Sequence, residues 1–121
     1  MSPEPDDRLA QQLGALRREY LADSRQRVEE LRRLFARVSA GERSALPELR
    51  QAFHRLAGSG GSYGFPAVSV RSRDGELLVG RLADSPAAML PAELESLRDC
   101  VEGVAHAFAE ALNALNTESP G

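Results

Sequence analysis

Leu9, Leu13, Leu16, Tyr20, Val28, Leu31, Phe35 and Val38 recur at steps of three and four, with small Ser24 filling the gap between Tyr20 and Val28. This spacing predicts one continuous amphipathic helix of about eight turns, roughly 45 Å long at about 1.5 Å per residue. A second helix is predicted to open between Ser44 and Pro47, because serine can cap free amides and proline is tolerated in a first turn. It carries Leu49, Phe53 and Leu56 inward. After Pro66, a third stripe of Phe65, Val68, Ser72, Gly75 and Leu78 or Val79 fits one helical face. Residues 68–80 also read locally as a β-hairpin, with Val68-Ser69-Val70 and Leu77-Leu78-Val79 flanking Asp74-Gly75. A last helix begins near Pro91 and bears Leu94, Leu97, Val101, Val104, Phe108, Leu112 and Leu115, after a Ser85-Pro86-Ala87-Ala88 loop. Four apolar stripes joined by short connections are buried together in an antiparallel up-down four-helix bundle, which favours the helical reading of 68–80.

Composition agrees with an all-α class. Aromatic residues make up 5% of the 121, and tryptophan is absent, so the core must be built mainly of Leu, Val and Ala. The length suits a single domain over residues 1–121, with flexible ends expected at about 1–6 and 117–121. Hydrophobic residues at 42% and charged residues at 27% suit a soluble globular chain. No basic-then-apolar leader and no 18-residue apolar run is present, and Cys100 is the only cysteine, so a cytoplasmic protein without membrane contact is expected.

Charge narrows the partners further. Residues 1–73 hold 13 Arg against 9 acids and residues 74–121 hold 2 Arg against 9, so the halves carry +4 and −7 within a net charge of −3. All 15 basic residues are arginine, which leaves no lysine for a phosphate contact or a Schiff base. The basic excess is too mild and too interleaved with acids for nucleic-acid binding.

The chemistry concentrates in residues 53–64, Phe-His-Arg-Leu-Ala-Gly-Ser-Gly-Gly-Ser-Tyr-Gly. At 100° per residue, Leu49, Phe53, Leu56, Gly60 and Tyr63 share one side, and His54 lies roughly 140° from its centre, facing water. Gly58 and Gly61 fall on the histidine's own face, where each glycine costs a helix interior about 1 kcal/mol relative to alanine. Two explanations stand: the helix ends near Gly58, or it is kept bare beside His54 so that a partner can reach the imidazole.

Enzyme readings of this segment fail. The glycines lack a following Gly-Lys-Ser/Thr and miss the dinucleotide spacing. No serine elbow accompanies a base, and the only other histidine, His106, is flanked by alanines and reads as an ordinary exposed side chain. Two histidines 52 residues apart, without cysteine pairs, make no zinc site, so neither a metal nor a cofactor is expected.

The segment resembles the histidine-containing phosphotransfer (HPt) module of bacterial multistep phosphorelays, whose pattern is His, any residue, Leu, Lys, Gly, a small residue, then three positions before an apolar residue and Gly or Ala. Here it runs His54, Arg55, Leu56, Ala57, Gly58, Ser59, then Tyr63 and Gly64. The four-helix architecture, with the histidine mid-way along the second helix, extends the resemblance across the chain. It implies that His54 is the phosphoacceptor, taking a phosphoryl group from a response-regulator receiver aspartate, or from a histidine kinase, and passing it on through Nε2. The receiver would bring the Mg²⁺, and a monomer would suffice. The implied docking surface comprises Gln51, Ala57, Gly58 and Gly61. Neutral imidazole is a competent nucleophile, and such transfer depends mainly on positioning and charge stabilisation.

Ala57 departs from the pattern, since the family has lysine there. Arg50, one turn before His54, and Arg55 at its rim are the candidate phosphate contacts in its place. The competing reading is a helical interaction module that binds a receiver or dimerises without phosphotransfer.

Overall fold

In a computed structural model, which describes residues 5–118, the chain forms five helices: α1 (Pro5–Ala22), α2 (Ser24–Ser39), α3 (Ala45–Ser62), α4 (Pro66–Asp84) and α5 (Pro91–Glu118). Helices α2 to α5 form the up-down four-helix bundle. Each packs on its chain neighbour, and α5 closes the ring against α2. Among the described residues there is no strand, and 68–80 lie wholly within α4. Pro66 opens that helix at a position where the missing amide costs nothing.

The first predicted helix is two. Asp23 interrupts it with φ −90° and ψ 0°, and its amide reaches Tyr20 O at 3.3 Å in a tightened turn. Aspartate is a weak helix former, and the stripe changes phase here. Leu21 and Ser24 are buried on either side of the break, whereas Leu9, Leu13 and Leu16 remain 55%, 51% and 44% exposed. The backbone of α1 comes close only to α2 and α5, and its leading leucines are left uncovered.

The core runs along the bundle axis through Leu31, Leu34, Leu46, Leu49, Phe53, Val68, Val79, Leu97, Val101 and Phe108. At one end Tyr20 stacks on Tyr63 with ring centroids 4.6 Å apart and shares a 2.7 Å hydrogen bond with the Ser59 hydroxyl, tying α1 to the end of α3. At the other end Arg43 donates to the carbonyls of Leu82, Ser85 and Ala87, joining the α2–α3 connection to the α4–α5 loop.

Helices α3 and α4 make the most extensive contact. Glycine allows it: a Cβ on Gly60 would lie 2.9 Å from Val68 Cγ1 and 3.0 Å from the Ser69 amide nitrogen, and one on Gly75 would lie 2.6 Å from two atoms of the Phe53 ring. The turn between them is set by Gly64 at φ +84°, with Phe65 N–H bonding back to Gly60 O at 2.7 Å, a left-handed glycine cap. The expected flexible ends fall partly outside the described residues. Residues 5 and 6 are helical, as are 117 and 118, and the Thr117 hydroxyl donates back to Asn113 O at 2.6 Å.

Candidate functional site

Helix α3 does not stop at Gly58. It continues to Ser62 because Leu56 and Gly60 keep the far face packed, so of the two readings of the glycines the structure shows an uninterrupted helix. Phe53 and Leu56 fix the helix rotation from inside, and His54 emerges on the outside with its side chain 65% exposed.

The imidazole is held from α4. Nδ1 lies 2.9 Å from Glu76 Oε1. An ionised carboxylate only accepts, so Nδ1 must carry the proton, and in the neutral ring Nε2 then holds the free lone pair. Nε2 has no hydrogen-bond partner among the described residues. The carboxylate also offsets any positive charge that forms on the ring.

Two shallow grooves flank His54. One, of about 320 Å³, is lined by Ala57, Gly58, Arg73, Glu76 and Leu77. The other, of about 280 Å³, is lined by Pro47, Arg50, Gln51, Glu76 and Ala83. Ala57 and Gly58 line the first and Arg50 and Gln51 the second, while Gly61 lines neither. Gly58 is open, with nothing within 4 Å of where its Cβ would stand, while Gly61 would meet the Ser69 hydroxyl at 3.5 Å. Gln51 borders the second groove, as does Arg50, whose guanidinium lies across Gly80, 3.4 Å from the position of a Cβ there.

Two of the expected residues are placed differently from the others. Ala57 is 5% exposed and forms the floor of the first groove, because it is rotated from His54 towards α4, and its carbonyl accepts a 2.7 Å bond from Ser69 Oγ. Arg55 lines neither groove. It is one of the charges that help hold the Glu30 carboxyl below its ordinary range, an effect due first to the Arg33 hydrogen bond.

Sequence periodicity did not point to Glu76 and Arg73. Both are on α4, one helical turn apart, and the signal that could have located them is the α3–α4 turn. Gly60 and Val68, four residues either side of Gly64, meet; so do Phe53 and Gly75, eleven residues either side. His54, ten residues before Gly64, must then face α4 near residues 73–76.

Elsewhere the chemistry is muted. His106 on α5 is exposed and paired only with Glu110, at 2.9 Å. Cys100 is half-buried, and burial, aided by Asp74 and Asp99, pushes its thiol up, away from the reactive thiolate. Among the described residues no cluster of three or more His, Cys, Asp or Glu could hold a metal ion, and no helix is long and apolar enough to cross a membrane.

Comparison with curated proteins and with solved structures returned no match. The family model described as the Hpt domain matches residues 15–116, which spans all of α2 to α4 and nearly all of α5. This family consists of phosphocarrier modules that work with receiver domains and histidine kinases in phosphorelays. An exposed histidine mid-way along the second bundle helix, held by a carboxylate on the next, sits within that match, and the chain belongs to the Hpt domain family.

Proposed function

We propose that His54 is the phosphoacceptor of a phosphocarrier that exchanges a phosphoryl group with receiver aspartates. One observation carries this reading: the 2.9 Å bond from Nδ1–H to Glu76, which leaves Nε2 as the free, solvent-facing nucleophile beside an open groove.

The Nε2 lone pair attacks the phosphorus of a receiver aspartyl phosphate. The bond from phosphorus to the carboxyl oxygen breaks, the aspartate leaves as carboxylate, and the Nε2–P bond forms. No proton need move, because Nδ1 keeps its hydrogen and the ring becomes a phosphoimidazolium whose positive charge faces the Glu76 carboxylate. Transfer onward reverses these steps on a second receiver. Mg²⁺ and the acidic pocket belong to the receiver, and this chain contributes a nucleophile already oriented, without catalytic groups of its own. Gly58 and Gly61 keep the approach low, Gln51 and Arg50 border the far groove, and Arg55, next to His54 in the chain, is exposed. The arginine-rich first half of the chain complements an acidic partner pocket.

Incubation with a phosphorylated receiver domain tests the assignment. Label on the protein should be acid-labile and alkali-stable, and absent from His54→Gln. Label that persists in the variant, or receiver binding without any transfer, would overturn it.

A further inference from the structure

We infer that Arg73, on the helix opposite His54, is the cation that binds the phosphoryl group on His54, and that this group is held over Gly58 in the groove between α3 and α4. The inference rests on His54 being the phosphoacceptor.

A phosphorylated imidazole places a doubly charged group beside the ring, and a family member with lysine three residues after the histidine answers it from the same helix. Here that position is Ala57, on the floor of the groove, and the chain contains no lysine. Any answering side chain must be an arginine. Helix α3 itself offers two, and neither lines the groove that holds Gly58. Arg50 lies across Gly80 in the other groove beside His54, and Arg55 lines neither groove.

Arg50, like Arg73, is unpaired among the described residues and borders His54, so what sets Arg73 apart is its place on the Gly58 side. Arg73 lines the groove shared by His54, Ala57 and Gly58. It stands nine residues after Gly64 where His54 stands ten before, so the hairpin register that joins Phe53 to Gly75 also sets Arg73 across from the histidine. Its guanidinium has no ion pair or hydrogen bond among the described residues, unlike Arg32, Arg33, Arg37 and Arg43, which are all engaged. Glu76, one turn further along α4, is occupied with Nδ1 and does not bind Arg73.

The space is also present on this side. Nothing lies within 4 Å of the position of a Cβ on Gly58, so a tetrahedral group can rest against the helix backbone there. A guanidinium can meet two phosphoryl oxygens with two parallel N–H donors, a geometry an ammonium cannot reproduce. Two α4 residues one turn apart would thus have complementary roles, Glu76 fixing one ring nitrogen and Arg73 holding what is attached to the other. An alanine at 57 and an arginine at 73 would likewise fit together, the small residue leaving the groove clear for the long one.

The test is the equilibrium partition of phosphoryl between His54 and a phosphorylated receiver domain, together with the phosphorus NMR resonance of the isolated phosphoprotein. Arg73→Ala should shift the partition towards the receiver by about tenfold, the scale of a charge-assisted hydrogen bond at a partly solvated site, and should move the resonance. Arg73→Lys should recover part of both. Arg71→Ala, which removes an equal charge from the α5 side of the same helix, should change neither. If wild-type protein is labelled on His54 and Arg73→Ala matches it in partition and resonance, the role of Arg73 is refuted while the phosphoacceptor stands. Absence of label on wild-type His54 would overturn both.

Discussion

Gly75→Ala is a substitution of one methyl group with two opposed effects whose difference can be read. Alanine is favoured over glycine within a helix by about 1 kcal/mol, and Gly75 lies inside α4 with ordinary helical φ. Against this, the added Cβ would lie 2.6, 2.6 and 2.8 Å from three atoms of the Phe53 ring, which is 0% exposed and cannot swing into solvent. Overpacking of this kind costs about 1–3 kcal/mol, and three simultaneous sub-3 Å approaches place it at the upper end. The net expectation is a loss of about 1–2 kcal/mol. Gly58→Ala supplies the control: the same propensity gain, nothing within 4 Å, and therefore a gain of about 0.5–1 kcal/mol. Urea titrations followed by circular dichroism would measure both as midpoint shifts at constant slope. Phe53 precedes His54 and Gly75 precedes Glu76, so relief of the clash by separating α3 from α4 should also stretch the 2.9 Å Nδ1–Glu76 bond and slow phosphoryl uptake. If Gly75→Ala proves as stable as Gly58→Ala, the close approach of α3 and α4 is not what the glycine maintains, and the packing account of Gly75 fails.

Glu76→Gln keeps the shape but replaces a charged acceptor by a neutral one, so uptake from a phosphorylated receiver should slow on the order of tenfold, and an unchanged rate would remove the carboxylate from the mechanism. Tyr20 is buried at 4% exposure, and this burial raises its hydroxyl above the usual 10.0 despite the Ser59 hydrogen bond and nearby Arg27. Its contribution is therefore intact below about pH 10 and declines as pH rises through the folded value, because the unfolded tyrosine ionises first. Tyr20→Phe should cost about 0.5–1.5 kcal/mol at neutral pH for the lost hydrogen bond and show a shallower alkaline decline than wild type; parallel declines in the two proteins would contradict the burial argument.

The bundle was legible because each of its four helices carries its own stripe, and α3, α4 and α5 open near the serine and prolines that mark them. The break at Asp23 was not. Leu9, Leu13 and Leu16 continue the periodicity of α2 without sharing its neighbours, and periodicity reports amphipathicity rather than what covers the apolar face. His54 was legible as an outward residue by the same projection that made Phe53 and Leu56 core. Glu76 and Arg73 were not, because facing residues on two helices are related by the turn that joins them, and no pattern within either helix contains that relation.

The turn around Gly64 consequently acts as a length standard for the whole reactive face. One residue inserted or deleted between Ser62 and Pro66 would rotate α4 by about 100° against α3 if both helices kept their own cores, carrying Glu76 away from His54. Insertions in the connections at 40–44 or 85–90 leave that relation untouched, although Arg43 bridges those two loops. The spacing between His54 and Glu76 is therefore the quantity that related chains should preserve, more strictly than overall length or the sequence of the outer loops.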